Sequence, residues 1–240
     1  MIPIPDISQT YPKTGLTMDT QFTGSARFVS AGSAYNDAGT GKITVSAASG
    51  INALFSSGGT LSMWVNMLSI GATAGYLLDT GTSGIQIFLQ NDSSGTAKIR
   101  FKVYWDATSG EWDTNNQVIT YGDWTHFAVT YTPTSTTTDP VIYINGKVAA
   151  NTRSQTPGGS APADAGDKTF MNTSAGNRGV NGYMANVGLW KGTVLTESQI
   201  RNVMLATSYG QVQAIAQPTA YYLLSSNGND STGNFNGTFS

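Results

Sequence analysis

The chain carries 240 residues, a net charge of −2 and no cysteine, so disulfides, thiolate nucleophiles and cysteine-ligated metals are excluded. That charge also argues against a nucleic-acid partner, because neutralising phosphates needs a basic surface. Only 11% of residues are charged, under half the usual ~25%, and no apolar run reaches the ~18 residues of a membrane helix, so no membrane partner is expected.

Residues 1–20 hold Pro3, Pro5 and Pro12 without a clear period and read as an extended N-terminal arm. No basic region followed by an apolar core occurs there, so no signal peptide is expected. From residue 21 onward, strand-like runs alternate with turn signals. The clearest are ARFVS (26–30), TLSMWVNM (60–67), GIQIFLQ (84–90), AKIRFKVYW (97–105), WTHFAVTY (124–131), VIYI with KVAA (141–150), and GYMANVGLW (182–190).

Several of these have a period of two. Leu61, Met63, Val65 and Met67 oppose Ser62, Trp64 and Asn66, while Ile99, Phe101, Val103 and Trp105 oppose Lys98, Arg100, Lys102 and Tyr104. Charges confined to one side mark a half-buried antiparallel strand. Asn145-Gly146 between two apolar runs predicts a hairpin with a type I′ turn. Residues 196–208 predict the one short helix: Thr196 and Gln199 form a capping box, Ile200, Val203 and Met204 form its apolar stripe, and Gly210 closes it. Such a helix is expected across an open end or a sheet edge. A strand at about 219–225 follows. It either closes the same sandwich or begins another module, and the few residues left favour closure.

LSMWV (61–65), WTHFAVTY (124–131), VIYINGKV (141–148) and GYMANVGLWKGTVLTESQI (182–200) together resemble the laminin-G-like, concanavalin A-like lectin/glucanase superfamily. The resemblance implies an all-β jelly-roll sandwich of two antiparallel sheets. It also implies calcium at a sheet rim, as in many members; Asp79, Asp92 and Asp113 are the candidates, against a reading as solvated turn aspartates. Glucanases of the superfamily use paired glutamates. Here the only glutamates are Glu111 and Glu197, Glu197 in the first turn of the helix, so an enzyme is not expected. His126, the only histidine, is read as a packed or surface residue rather than a catalytic base.

A sugar site needs an aromatic platform with amides and carboxylates beside it. The densest such cluster is VYWDATSGEWDTNNQ (103–117), with Tyr104, Trp105, Glu111, Trp112, Asp113 and Asn115 as candidate glycan contacts. Counting by two turns Trp105 inward, at the end of the sandwich, while Trp112 reads as an exposed tryptophan in a polar loop. Trp64 either lines a concave face or is covered; Trp124 and Trp190 read as core. The expected function is a non-enzymatic surface module, a bacteriophage virion protein such as a capsid decoration, fibre or tail adhesin. Its expected partners are other virion proteins through residues 1–20, a cell-surface glycan and further copies of itself. The alternative is an extracellular carbohydrate-binding module of a polysaccharide-degrading system, and a glycoside hydrolase stands third.

Overall fold

A computed structural model describes residues 27–29, 33–71, 74–161, 163–225 and 227–240. The expected arm at 1–20 lies outside them. In chain order the strands begin with β1 (Arg27–Val29), β2 (Ser33–Asp37), β3 (Ile43–Val45), β4 (Gly59–Ser69), β5 (Tyr76–Asp79) and β6 (Ile85–Ser93). They continue with β7 (Thr96–Val103), β8 (Gly110–Thr114), β9 (Ile119–Thr120), β10 (Trp124–Tyr131), β11 (Val141–Ile144) and β12 (Lys147–Ala149). Then come β13 (Asn151–Gln155), β14 (Lys168–Phe170), β15 (Asn181–Lys191), helices α1 (Glu197–Leu205) and α2 (Tyr209–Ile215), β16 (Ala220–Tyr222) and β17 (Gly237–Phe239).

These form two antiparallel sheets. The first runs β1-β2-β15-β4-β10-β11-β12, with β16 beside β15; the second runs β13-β8-β7-β6-β5-β14-β3-β17, with β9 beside β7. Only Ala150 separates β12, on an edge of the first sheet, from β13, on an edge of the second. Asn145 and Gly146 take φ of 50° and 73°, the positive values a type I′ turn demands. The inward rows expected from alternation meet between the sheets: Leu61, Met63, Val65, Ile99, Phe101, Phe127, Val129 and Tyr131 all lie in one buried cluster. Removing such side chains from water supplies roughly 1.5–3 kcal/mol apiece.

The helical segment departs from expectation. Thr196 caps α1 through the capping box, but the helix stops at Leu205 with Ala206 extended as its C-cap, and Gly210 lies inside a second helix capped by Ser208. Nor do the helices cross an end or an edge. They lie on the outer face of the first sheet, where Leu195, Ile200, Val203 and Val212 pack with Ala128, Tyr143, Trp190 and Tyr221. Met204 packs with Trp64 and Ala185, and the half-buried Trp124 lies against them. The indole of Trp190 donates to the Ala216 carbonyl at the end of α2, at 2.9 Å. Trp64 is therefore covered rather than lining a groove.

His126 is buried under this cap. Its Nε2 lies 2.9 Å from the Ser62 hydroxyl, and the Trp64 ring meets it edge-on. The C-terminal stretch closes the sandwich, with β16 pairing β15 and β17 pairing β3. The loop between them is organised by Asp230, whose carboxylate accepts from the amides of Tyr221, Thr232, Asn234 and Phe235.

A second buried polar group ties loops at one end. Lys168 Nζ meets Asp164 Oδ1 at 3.2 Å, the Gly166 carbonyl at 2.8 Å and Asn52 Oδ1 at 3.5 Å, with both ionic side chains 2% exposed. Burial pushes the Asp164 carboxyl up and the Lys168 ammonium down in pKa, and their mutual attraction opposes both shifts. Breaking such a pair strands a charge in the interior. Asp164→Ala is expected to lower unfolding free energy by about 3–5 kcal/mol, and the double change Asp164→Leu, Lys168→Met to recover most of it. Denaturant titration of the three proteins decides it; a double variant no more stable than the single one contradicts this account.

Burial lowers His126 from 6.5 to about 3. The folded state holds it neutral, whereas the unfolded chain takes up its proton below 6.5, so stability is complete above that pH and falls towards pH 3. Between pH 7 and pH 4.5 the loss from this residue is expected to be roughly 2–3 kcal/mol. In denaturant titrations at the two pH values, His126→Gln, which cannot titrate, should lose that much less. Equal losses in both proteins refute the assignment.

Candidate functional site

Among the described residues, no helix lies on the outer face of the second sheet. Alternation along β7 sends Lys98, Arg100 and Lys102 outward, and register then selects their neighbours. Arg100 stands opposite Asp113 on β8 and Phe88 on β6; Lys102 stands opposite Glu111 and Gln86. Each cation meets its carboxylate directly across the ladder, the arrangement that stabilises a sheet most simply.

The resulting lattice is closely coupled. Arg100 grips Asp113 with two parallel bonds of 2.6 and 2.7 Å and reaches Glu111 Oε2 with Nη1 at 2.5 Å. Lys102 Nζ lies 2.8 Å from Glu111 Oε1 and 4.7 Å from the centre of the Tyr104 ring. Tyr104 donates to Gln86 Oε1 at 3.1 Å, and Gln86 Nε2 donates to Asp79 Oδ1 at 2.9 Å. The hydrogen bond to Asp113 raises the Arg100 pKa, with burial opposing it; burial also opposes the rise at Lys102, where Glu111 outweighs it. Beside this lattice the half-buried rings of Tyr76 and Phe88 stack at 4.8 Å, and the Arg100 guanidinium lies 5.9 Å over Phe88. The face is thus a shelf of aromatic surface interleaved with hydrogen-bonding groups.

Tyr104, Glu111 and Asp113 belong to this shelf. Asn115 lies beyond β8, exposed, accepting from the Thr152 hydroxyl at 2.7 Å. The two tryptophans do not join them. Trp105 keeps the inward phase of β7 and is 7% exposed, and Trp112 is wholly buried. The stretch GEWDT is strand β8 rather than a polar loop, so alternation turns Glu111 and Asp113 out and Trp112 in. There it packs on Phe101 and Tyr131 while its indole donates to Asp139, itself paired with Arg153. Tyr76, Gln86, Phe88, Arg100 and Lys102 were absent from the expected site. Alternation turns Gln86, Phe88, Arg100 and Lys102 outward, but sequence spacing does not say that β6 and β8 flank β7.

The structure does not bring the three candidate calcium aspartates together. Asp79 is on β5 and Asp113 on β8, three strand spacings apart, or roughly 14 Å. Asp79 accepts from Gly81, Gln86 and Ser174, Asp113 is held by Arg100, and Asp92 accepts from the Tyr121 hydroxyl. Among the described residues no group of three or more His, Asp or Glu side chains could hold a metal.

A sandwich of two antiparallel sheets of this topology places the chain in the lectin-like class of folds. The chain belongs to the laminin-G branch of the concanavalin A-like lectin/glucanases superfamily, whose profile matches residues 37–201. No curated protein matches it. Among solved structures it is similar to a candidate carbohydrate-binding protein from Bacteroides ovatus, at 19% identity and TM-score 0.55, over 83% of this chain and 55% of that one. It is also similar to domain 4 of AbnA, an extracellular arabinanase of Geobacillus stearothermophilus solved with arabinotriose, at 16% identity and TM-score 0.52, over 80% and 86% of the two chains. A third is the binding domain of botulinum neurotoxin DC in complex with rat synaptotagmin II, at 15% identity and TM-score 0.50, over 78% and 46%. At these identities the likeness is one of fold, and the chain spans about half the length of the first and third of these proteins.

The geometry makes a direct optical prediction. Of the five tryptophans, Trp64, Trp105, Trp112 and Trp190 are buried and Trp124 half-buried. Iodide should barely quench the folded protein's indole fluorescence, and Trp112→Phe should leave that protection unchanged. Strong quenching that Trp112→Phe abolishes would restore an exposed Trp112.

Proposed function

We propose that this chain is a non-enzymatic binding module that meets a glycan across the outer face of its second sheet. One observation carries the reading: two helices seal the outer face of the first sheet, while the opposite face is left as an aromatic and hydrogen-bonding shelf. Aromatic rings beside amides and carboxylates are what sugar recognition requires, C–H faces on the rings and hydroxyls on the polar groups. The similarity to the Bacteroides protein and to the arabinotriose-bound domain supports the same reading.

Hydrolysis is not part of it. A glycosidase needs two carboxyls free to act on one bond. Glu111 and Asp113 both bind Arg100, and Glu197 pairs with Arg201 on α1.

The setting we propose is the surface of a bacteriophage particle, as capsid decoration, fibre or tail adhesin, with residues 1–20 as the attachment to neighbouring subunits. A surface solubilised by Ser, Thr, Asn and Gly, with 11% charged residues, supports a life outside the cell. The arabinotriose-bound neighbour favours a second setting, an extracellular carbohydrate-binding module.

Two measurements test this. On a glycan array the protein should bind, and Tyr104→Ala should weaken that binding at least tenfold; purified particles should contain the protein. A blank array removes the glycan reading, and absence from particles removes the virion setting in favour of the secreted one.

A further inference from the structure

We infer that the glycan this shelf accepts is uncharged, and that the Arg100–Glu111–Asp113–Lys102 lattice enforces the choice. The inference rests on the proposed glycan function and adds the chemical class of ligand. It follows from how the cations of the shelf are used.

Sialic acids, uronic acids and sulfated sugars are recognised through their anionic group, which calls for a free guanidinium or ammonium in bidentate or point contact. Of the three cations that β7 turns outward, Arg100 and Lys102, at the centre of this shelf, are already engaged. Lys98 lies opposite Gln90, one outward position beyond Arg100 and away from Tyr104, and Arg178 lies near Tyr76 at the margin. Arg100 spends its fork on Asp113 and a third bond on Glu111, and Lys102 is held between Glu111 and the Tyr104 ring. An incoming anion would have to displace a carboxylate at 2.5–2.8 Å, with a second carboxylate beside it. Like charges that close are repulsive. Asp79 adds a further negative group at the same face, through Gln86.

The same lattice suits neutral sugars. Asp113, the more exposed of the two carboxylates, accepts strongly from hydroxyls, the buried Gln86 amide fixes the Tyr104 hydroxyl, and the Tyr76–Phe88 stack lies alongside for a C–H face. Holding these groups in mutual hydrogen bonds before the ligand arrives reduces the ordering cost of binding.

The test uses the full chain on printed neutral, sialylated, uronic-acid and sulfated oligosaccharides, at 50 and 500 mM salt. Binding is expected only to neutral members and with less than a twofold change across that range, since no ion pair forms with the ligand. The isosteric double change Glu111→Gln, Asp113→Asn, which releases Arg100 and Lys102, is expected to gain at least tenfold on sialylated or sulfated members. Circular dichroism of the variant checks that it folds. Should it not fold, the unmodified protein's selectivity and salt response decide the matter alone. Binding by the unmodified protein to acidic members, or a steep fall with salt, overturns the inference while leaving glycan recognition standing. A blank array overturns both.

Discussion

The pairing of β7 with β8 fixes the inside and the outside of the second sheet at once. Phe101 meets Trp112 on the interior side, while Arg100 meets Asp113 and Lys102 meets Glu111 on the exterior. Because side chains alternate, sliding either strand by a single residue would carry its own charges, the guanidinium on β7 or the carboxylates on β8, into the apolar layer and put its ring in water. An unpaired ionised group in that layer costs far more than a lost apolar contact. The register that builds the core is therefore the register that lays out the ionic shelf, and neither can be altered alone.

The two outer faces are treated in opposite ways for a related reason. The outward row of the first sheet contains Trp64, Ala128, Tyr143, Ala185, Trp190 and Tyr221, which is too apolar to leave wet, and the amphipathic stripe of α1 covers it. The outward row of β6, β7 and β8 is ionic and aromatic, and satisfies itself through cross-strand contacts, with no helix over it among the described residues. One sheet hides its reverse; the other presents it.

Much of this was legible along the chain, because alternation is a local property. The rows Leu61–Met67, Ile99–Val103 and Phe127–Tyr131 point inward as their spacing demands, the Asn145-Gly146 turn forms with the expected φ values, and Thr196 caps its helix. What was not legible depended on partners far away in sequence. GEWDT looks like a polar loop until β7 and β13 pair with it on either side, and only then does Trp112 turn inward. Likewise, nothing local shows that α1 would land on a sheet face rather than an end, since its stripe is compatible with any apolar surface. Ala206, extended where a longer helix was expected, ends α1 without the glycine that usually signals a stop.

The helical cover has an origin that bears on how the molecule can be handled. Both helices arise within one connection, between β15 and its neighbour β16. The shelf, by contrast, draws on β5, β6, β7 and β8 and sits on the far side of the sandwich. The molecule thus has a locally written back and a front composed by many strands. Cargo joined at the exposed Thr207–Ser208 turn between the helices would project away from that front, leaving it open when the protein is tethered to a bead, a dye or a second domain.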